Sequence, residues 1–179
     1  YVNNSSKIRI LNTVINNTQH NGIYALSSFN IGVDGVTVYN AGANGIRFHT
    51  VTGGFVRNST VNTVVNHGIY LYPKTTFVTV SENEVKNCTQ RGITVNDFST
   101  DNIIKNNFVH DTGQLAIMVS DDSYRFNCSN NTIEDIADDG IYVSVTTTGD
   151  IGMTVPEASI ISGNSINNIT GYGIWMVEA

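Results

Sequence analysis

The sequence predicts an all-β solenoid of about seven coils, and three observations carry that prediction. A Gly-Ile-x-apolar tetrapeptide returns at Gly22, Gly45, Gly68 and Gly92, then with Ala116 in the glycine's place, then at Gly140 and Gly173, in steps of 23, 23, 24, 24, 24 and 33 residues. A fixed period of this length is the mark of stacked structural repeats. Each repeat holds short alternating runs, such as Phe77-Val-Thr-Val80, Glu84-Val-Lys86 and Ile93-Thr-Val95, broken by Asn, Asp, Gly and Ser. Period-2 alternation closed by turn residues means strands, and three such runs per repeat exclude a helical unit. Composition agrees, because the 179 residues include 24 Asn and only 2 Pro, with Val, Ile, Thr and Tyr plentiful and helix formers sparse.

The elements of one coil follow in order. The half-coil before each glycine recurs as Asn83-Glu-Val-Lys-Asn87, Asn107-Phe-Val-His-Asp111, Asn131-Thr-Ile-Glu-Asp135 and Asn164-Ser-Ile-Asn-Asn168. The column five residues before the glycine, Asn40, Thr63, Asn87, Asp111, Asp135 and Asn168, reads as a ladder of turn residues bonding the neighbouring backbone. Asp111 and Asp135 therefore belong to structure, not to chemistry. The glycine marks a tight turn that needs positive φ or a close backbone approach. The isoleucines after it, Ile23, Ile46, Ile69, Ile93, Ile117, Ile141 and Ile174, should form one inward stack.

This pattern resembles the right-handed parallel β-helix of the pectate-lyase-like superfamily, and the resemblance covers all seven repeats. It implies a single-stranded right-handed parallel β-helix over 1–179 and a polysaccharide as partner. It further implies a secreted, cell-surface or virion protein: a polysaccharide lyase, a glycoside hydrolase or a phage tail-spike depolymerase, the last as a homotrimer. Of the polygalacturonase motifs only Asp121-Asp122 is present, and the Tyr-Gly-Phe-Asp-Pro-His motif of alginate epimerases is absent. The contrasting reading is a non-catalytic structural or adhesion stalk, which the regular coil length favours.

Bulk numbers narrow the partners. A net charge of −6 argues against nucleic acid, and no apolar run is long enough to span a bilayer. Residues 1–76 hold five Lys or Arg against one acid, whereas 77–179 hold four against fourteen. The early coils suit an acidic polymer. Neither end carries a polar capping segment, so the 179 residues read as one domain of a longer chain. Cys88 and Cys128 occupy different repeat positions and read as two buried free thiols.

Chemistry is expected on the outward face of the Gly-Ile strands. Two outward columns read Tyr24, Arg47, Tyr70, Thr94, Met118, Tyr142, Trp175 and Leu26, His49, Tyr72, Asn96, Ser120, Ser144, Val177. Aromatic faces flanked by hydrogen-bonding groups suit sugar rings, which makes Tyr24, Tyr70, Tyr142 and Trp175, with Lys74, candidate substrate contacts. Arg47 could neutralise a uronic carboxylate while His49 or Tyr72 moves the proton in a β-elimination. A second candidate set is Asp97 with Asp121 and Asp122. Aspartates on adjacent coils would suit a retaining pair at roughly 5 Å, and their repulsion implies a shared proton or a cation such as Ca²⁺. The nine extra residues of the last repeat fall in Thr146–Pro156, a loop expected to wall the groove.

Overall fold

In the computed structural model, residues 1–145 and 159–178 are described, and their strands pair throughout in parallel, wound as a right-handed solenoid with three faces. The first face carries the leading parts of the long strands Ile23–Asp34 and Ile46–Arg57, then Ile69–Leu71, Ile93–Val95, Ile117–Val119, Ile141–Val145 and Ile174–Glu178. The trailing parts of the two long strands turn onto the second face, followed by Thr76–Ser81, Ile103–Lys105, Asn127–Ser129 and Ile160–Ser162. The third face stacks Val14–Thr18, Thr37–Ala41, Thr60–Val64, Glu84–Cys88, Phe108–Thr112, Thr132–Ile136 and Ser165–Ile169. Those seven strands are separated by six turns, close to the expected seven coils.

The isoleucine stack runs in register from Ile23 through Ile46, Ile69, Ile93, Ile117 and Ile141 to Ile174. The first six are at most 3% exposed, whereas Ile174 in the last coil is 48% exposed. Two residues further along each strand, Ala25, Phe48, Leu71, Val95, Val119 and Val143 fill the same interior. The core is therefore a set of parallel columns, each side chain packed against the same position one coil above and below. Cys88 and Cys128 lie in it as free thiols, their pKa values pushed up to about 12 chiefly by burial.

Corners hold the coils at constant size. Near the end of each third-face strand, Asn17 and the six columnar residues that follow it all have φ between 50° and 56°, a left-handed conformation that Asn and Asp tolerate best. Between the second and third faces, Asn83, Asn107, Asn131 and Asn164 form a buried amide ladder. Nδ2 of Asn83, Asn107 and Asn131 donates to the next Oδ1 at 2.9–3.0 Å, and the same acceptor takes the neighbouring backbone N–H at 2.9–3.1 Å. An amide side chain supplies both a donor and an acceptor, so the inner rungs Asn107 and Asn131 bond both neighbours, and the second N–H of Asn83, Asn107 and Asn131 goes to the carbonyls of Val56, Val80 and Ile104. Of the two reasons for the recurring glycine, close approach is the operative one: a Cβ on Gly92 would sit 2.4 Å from Val109 and 2.6 Å from the Ala116 carbonyl oxygen.

Candidate functional site

Outward positions two and four residues after the glycine converge on coils one to three. Parallel register brings Tyr24 beside Arg47 and Arg47 beside Tyr70. The Arg47 guanidinium lies 5.2 Å from the Tyr24 ring centre and 5.6 Å from those of Tyr70 and Tyr72. Its Nη2 donates to His49 Nδ1 at 3.3 Å, and Tyr24 Oη approaches the same nitrogen at 3.3 Å. Because a guanidinium can only donate, Nδ1 accepts in this arrangement. Tyr70 and Tyr72 stack at 5.1 Å with planes 16° apart, and His49 meets Tyr72 edge-on at 5.9 Å. Arg47, His49, Tyr24, Tyr70 and Tyr72 are thus one contiguous, partly exposed cluster. Lys74 is exposed at its edge, in a left-handed turn.

Electrostatics favour neutral proton carriers here. Burial, and then the Arg47 charge, holds His49 below the usual imidazole range. Burial raises the Tyr70 phenol above its ordinary value and keeps it protonated at neutral pH. His67, one residue before its glycine, is 8% exposed, meets Tyr70 edge-on at 4.6 Å, and is lowered to about 4 by burial and by Arg91 and Arg47.

The other candidates lie further along the same face. Tyr142 and Trp175 meet edge-on at 5.3 Å, with Tyr172 5.5 Å from Trp175. Between the two aromatic clusters, Thr94 and Met118 occupy outward positions yet are 0% and 8% exposed. Asp97 and Asp121 are neighbours across coils, since the amide of Phe98 donates to the Asp121 carbonyl at 2.9 Å. Both, with Asp122, adopt left-handed turns, and the Asp121 carboxylate accepts from Ser120 Oγ at 3.1 Å and Asn96 Nδ2 at 3.3 Å. Among the described residues no group of three His, Cys, Asp or Glu is placed to hold a metal ion. The Thr146–Pro156 segment lies outside the described residues.

Sequence reasoning gave Tyr1 no place in the site, and it packs on Tyr24 at 5.3 Å. His67 and Arg91, whose position one residue before the repeat glycine suits a solvated turn and a functional group equally, border Tyr70. The available signal for the last two was that they replace asparagine in the column Asn21, Asn44, His67, Arg91.

The fold and this face define a right-handed β-helix that carries a partly exposed aromatic and basic cluster. Residues 1–113 match the family model described as "Right handed beta helix region", and the chain belongs to that family. Residues 72–179 match the model described as "Periplasmic copper-binding protein (NosD)". No curated protein matches the sequence. Among solved structures, the periplasmic alginate epimerase AlgG is similar with a TM-score of 0.61 at 17% identity, covering 94% of this chain and 50% of that one. The A-module of the Azotobacter vinelandii mannuronan C-5 epimerase AlgE4 is similar with a TM-score of 0.59 at 11% identity, covering 97% of this chain and 58% of that one. The chain spans about half the length of these structures, and the likeness is one of fold. Copper, which the NosD description carries, meets no matching donor set among the described residues: both thiols are buried in the core, His49 and His67 face arginines, and both ring nitrogens of His110 are engaged by Asp111 and Glu84.

Proposed function

We propose that this β-helix binds an acidic polysaccharide outside the cytoplasm, with the Arg47 cluster as its reactive centre, and that the reaction is β-elimination. The observation that carries the reading is the shared contact at His49 Nδ1: a fixed cation and a phenol meet a neutral imidazole nitrogen within 3.3 Å. A substrate carboxylate is a stronger partner for Arg47 than the long bond to His49. Its arrival would draw off the guanidinium and free Nδ1 as a base. His49 then takes the ring proton alpha to the carboxylate, the electron pair forms the ring double bond, and the glycosidic C–O bond breaks. A phenol, Tyr70 or Tyr72, returns a proton to the departing oxygen. Arg47 stabilises the charge that builds on the carboxylate as the proton leaves. Tyr24, Tyr70 and Tyr72 provide ring faces for sugars, with Tyr142 and Trp175 as a second platform further along.

Neighbours named as alginate epimerases, and the word periplasmic in two of the matching descriptions, support a polysaccharide outside the cytoplasm. The missing Tyr-Gly-Phe-Asp-Pro-His motif argues against epimerisation itself. A hydrolase built on Asp97 and Asp121 has less support, because both carboxylates sit in turns and Asp121 is already bonded. The stalk reading is favoured by the regular coils but leaves the partly buried Arg47–His49 contact without a purpose. Incubation with acidic and neutral polysaccharides decides: unsaturated ends from an acidic polymer support the lyase, reducing ends without unsaturation indicate a hydrolase, and no cleavage favours the stalk.

A further inference from the structure

The corner that precedes the Gly-Ile face begins as an amide ladder and then abandons it. Asn44 Nδ2 donates to Asn21 Oδ1 at 2.8 Å, and the backbone N–H of His67 donates to Asn44 Oδ1 at 3.2 Å. The next rungs are His67 and Arg91, whose backbones continue the stack through Gly45 N to His67 O and Gly68 N to Arg91 O, at 3.0 and 2.9 Å. Neither side chain can repeat the reciprocal amide bond. The result is a knot of buried nitrogens with no hydrogen-bond partner among the described residues: His67 Nδ1, Arg91 Nε and Arg47 Nε. Thr94 Oγ1, in the fully buried side chain beneath Tyr70's neighbouring coil, lacks one too.

Buried polar atoms without partners are rare and destabilising, so a concentration of them at one place calls for a missing partner. Around Tyr70 the orphans are two guanidinium N–H donors, an imidazole that can present an N–H while staying uncharged, the Thr94 hydroxyl and one acceptor, Asn96 Oδ1, so donors predominate. Arg47 lies 5.6 Å from the centre of the Tyr70 ring, His67 meets the same ring edge-on at 4.6 Å, and Arg91 is the next rung of the corner after His67. The complement of this set is an oxyanion with several lone pairs.

We propose that Arg91, Arg47 and His67 form a seat for one oxyanion, the carboxylate or sulfate of a charged sugar, against the edge of Tyr70. Arg91 is the second arm of a clamp whose first arm is Arg47, and His67 is a neutral donor between them. An asparagine at position 67 would serve the solenoid better, which is why the histidine marks the site. The saccharide origin of the anion rests on the polysaccharide reading above; the seat itself does not.

Nuclear magnetic resonance of the His67 ring and calorimetry, with D-galacturonate, D-galactose, oligogalacturonate and inorganic sulfate as probes, test this. Galacturonate should shift the His67 signals and raise its protonation midpoint, because a bound anion offsets both arginines, while galactose should do neither. Arg91→Met and His67→Asn should each weaken galacturonate or oligogalacturonate binding at least tenfold, and His67→Asn should at the same time raise Tm by extending the Asn21–Asn44 ladder. Competition by sulfate identifies a seat that also accepts sulfate esters, and its failure to compete assigns the seat to carboxylates. Binding within twofold of wild type in both variants, or His67 signals unmoved by galacturonate, oligogalacturonate and sulfate, overturns the proposal and leaves ordinary water as the missing partner. Anion binding without cleavage of any polyuronate would sink the lyase reading and keep the seat; cleavage with binding unchanged in both variants would do the reverse.

Discussion

Arg47 reaches forward two residues along its own strand to donate from Nη2 to Nδ1 of His49, across 3.3 Å. In a strand, residues two apart share a face, so the pairing is written into the local sequence Arg-Phe-His, with Phe48 buried beneath. The contact links a group suited to neutralising a carboxylate with a group suited to removing a proton.

Replacing either partner should therefore act on the chemistry. Arg47→Ala and His49→Ala should reduce release of unsaturated ends by about 10²-fold or more, the scale of positioned proton transfer and charge stabilisation. Asp97→Asn and Asp121→Asn should leave that rate within a few fold. Absorbance of the unsaturated product measures all four, and loss confined to the aspartate variants would move the reaction to the later coils.

The stacked phenols separate binding from folding. Tyr70→Ala combined with Tyr72→Ala should weaken oligosaccharide binding while Tm changes little, because both rings point outward from the core columns. Calorimetry beside a melting scan tests it, and equal losses in both would make the tyrosines packing residues only.

Core and corner should answer differently to truncation. Ile93→Ala removes a fully buried side chain from the middle of its column and should cost about 2–5 kcal/mol through the cavity it leaves. Asn107→Ala strands the Asn83 amide and backbone donors and the Val80 carbonyl, at about 1–3 kcal/mol for each buried group left unpaired. Asn107→Asp, similar in shape but no longer able to donate, should also destabilise, and urea unfolding of the three variants gives the comparison.

Acid should weaken the fold through His67. Its pKa falls from 6.5 to about 4 on folding, so the native state binds its proton less readily than the unfolded chain. Nothing is lost above about pH 7, where both states are neutral. Between about 6.5 and 4 the unfolded state takes up the proton first and stability falls, by up to about 3 kcal/mol, then levels off below. Urea unfolding between pH 7 and 4 should show a shallower decline in His67→Asn; identical curves would mean the histidine is solvated.

Much of the fold was legible because a solenoid repeats its evidence. Six glycines and seven isoleucines in step make the period and the inward column readable, whereas the positive φ allowed for at the glycine lies instead at the turn residue five positions before it. The outward aromatic and basic columns were readable for the same reason, since strand alternation assigns a face to each residue. Burial across coils was not. Thr94 and Met118 count as outward by alternation and are covered all the same, because long neighbours on adjacent coils close over them. Likewise the depressed pKa of His67 depends on Arg47 and Arg91, 20 residues before it and 24 after it, which meet it only through stacking. The Asp97–Asp121 adjacency was foreseen, but the bonds that occupy Asp121 arise from Ser120 and Asn96, whose side-chain directions no periodicity specifies.

The unbroken register from Ile23 to Ile174 makes the molecule a ruler. Each coil advances the same face by one interstrand step, about 4.8 Å, so position along the axis is counted in whole repeats. A gene duplication or deletion of one repeat would lengthen or shorten the distance between the tyrosine–arginine cluster and the tyrosine–tryptophan pair by that single step, with the parallel backbone ladder continued across the junction. The length of sugar chain that can touch both platforms is thus a quantity evolution can change in discrete increments, without redesigning either one.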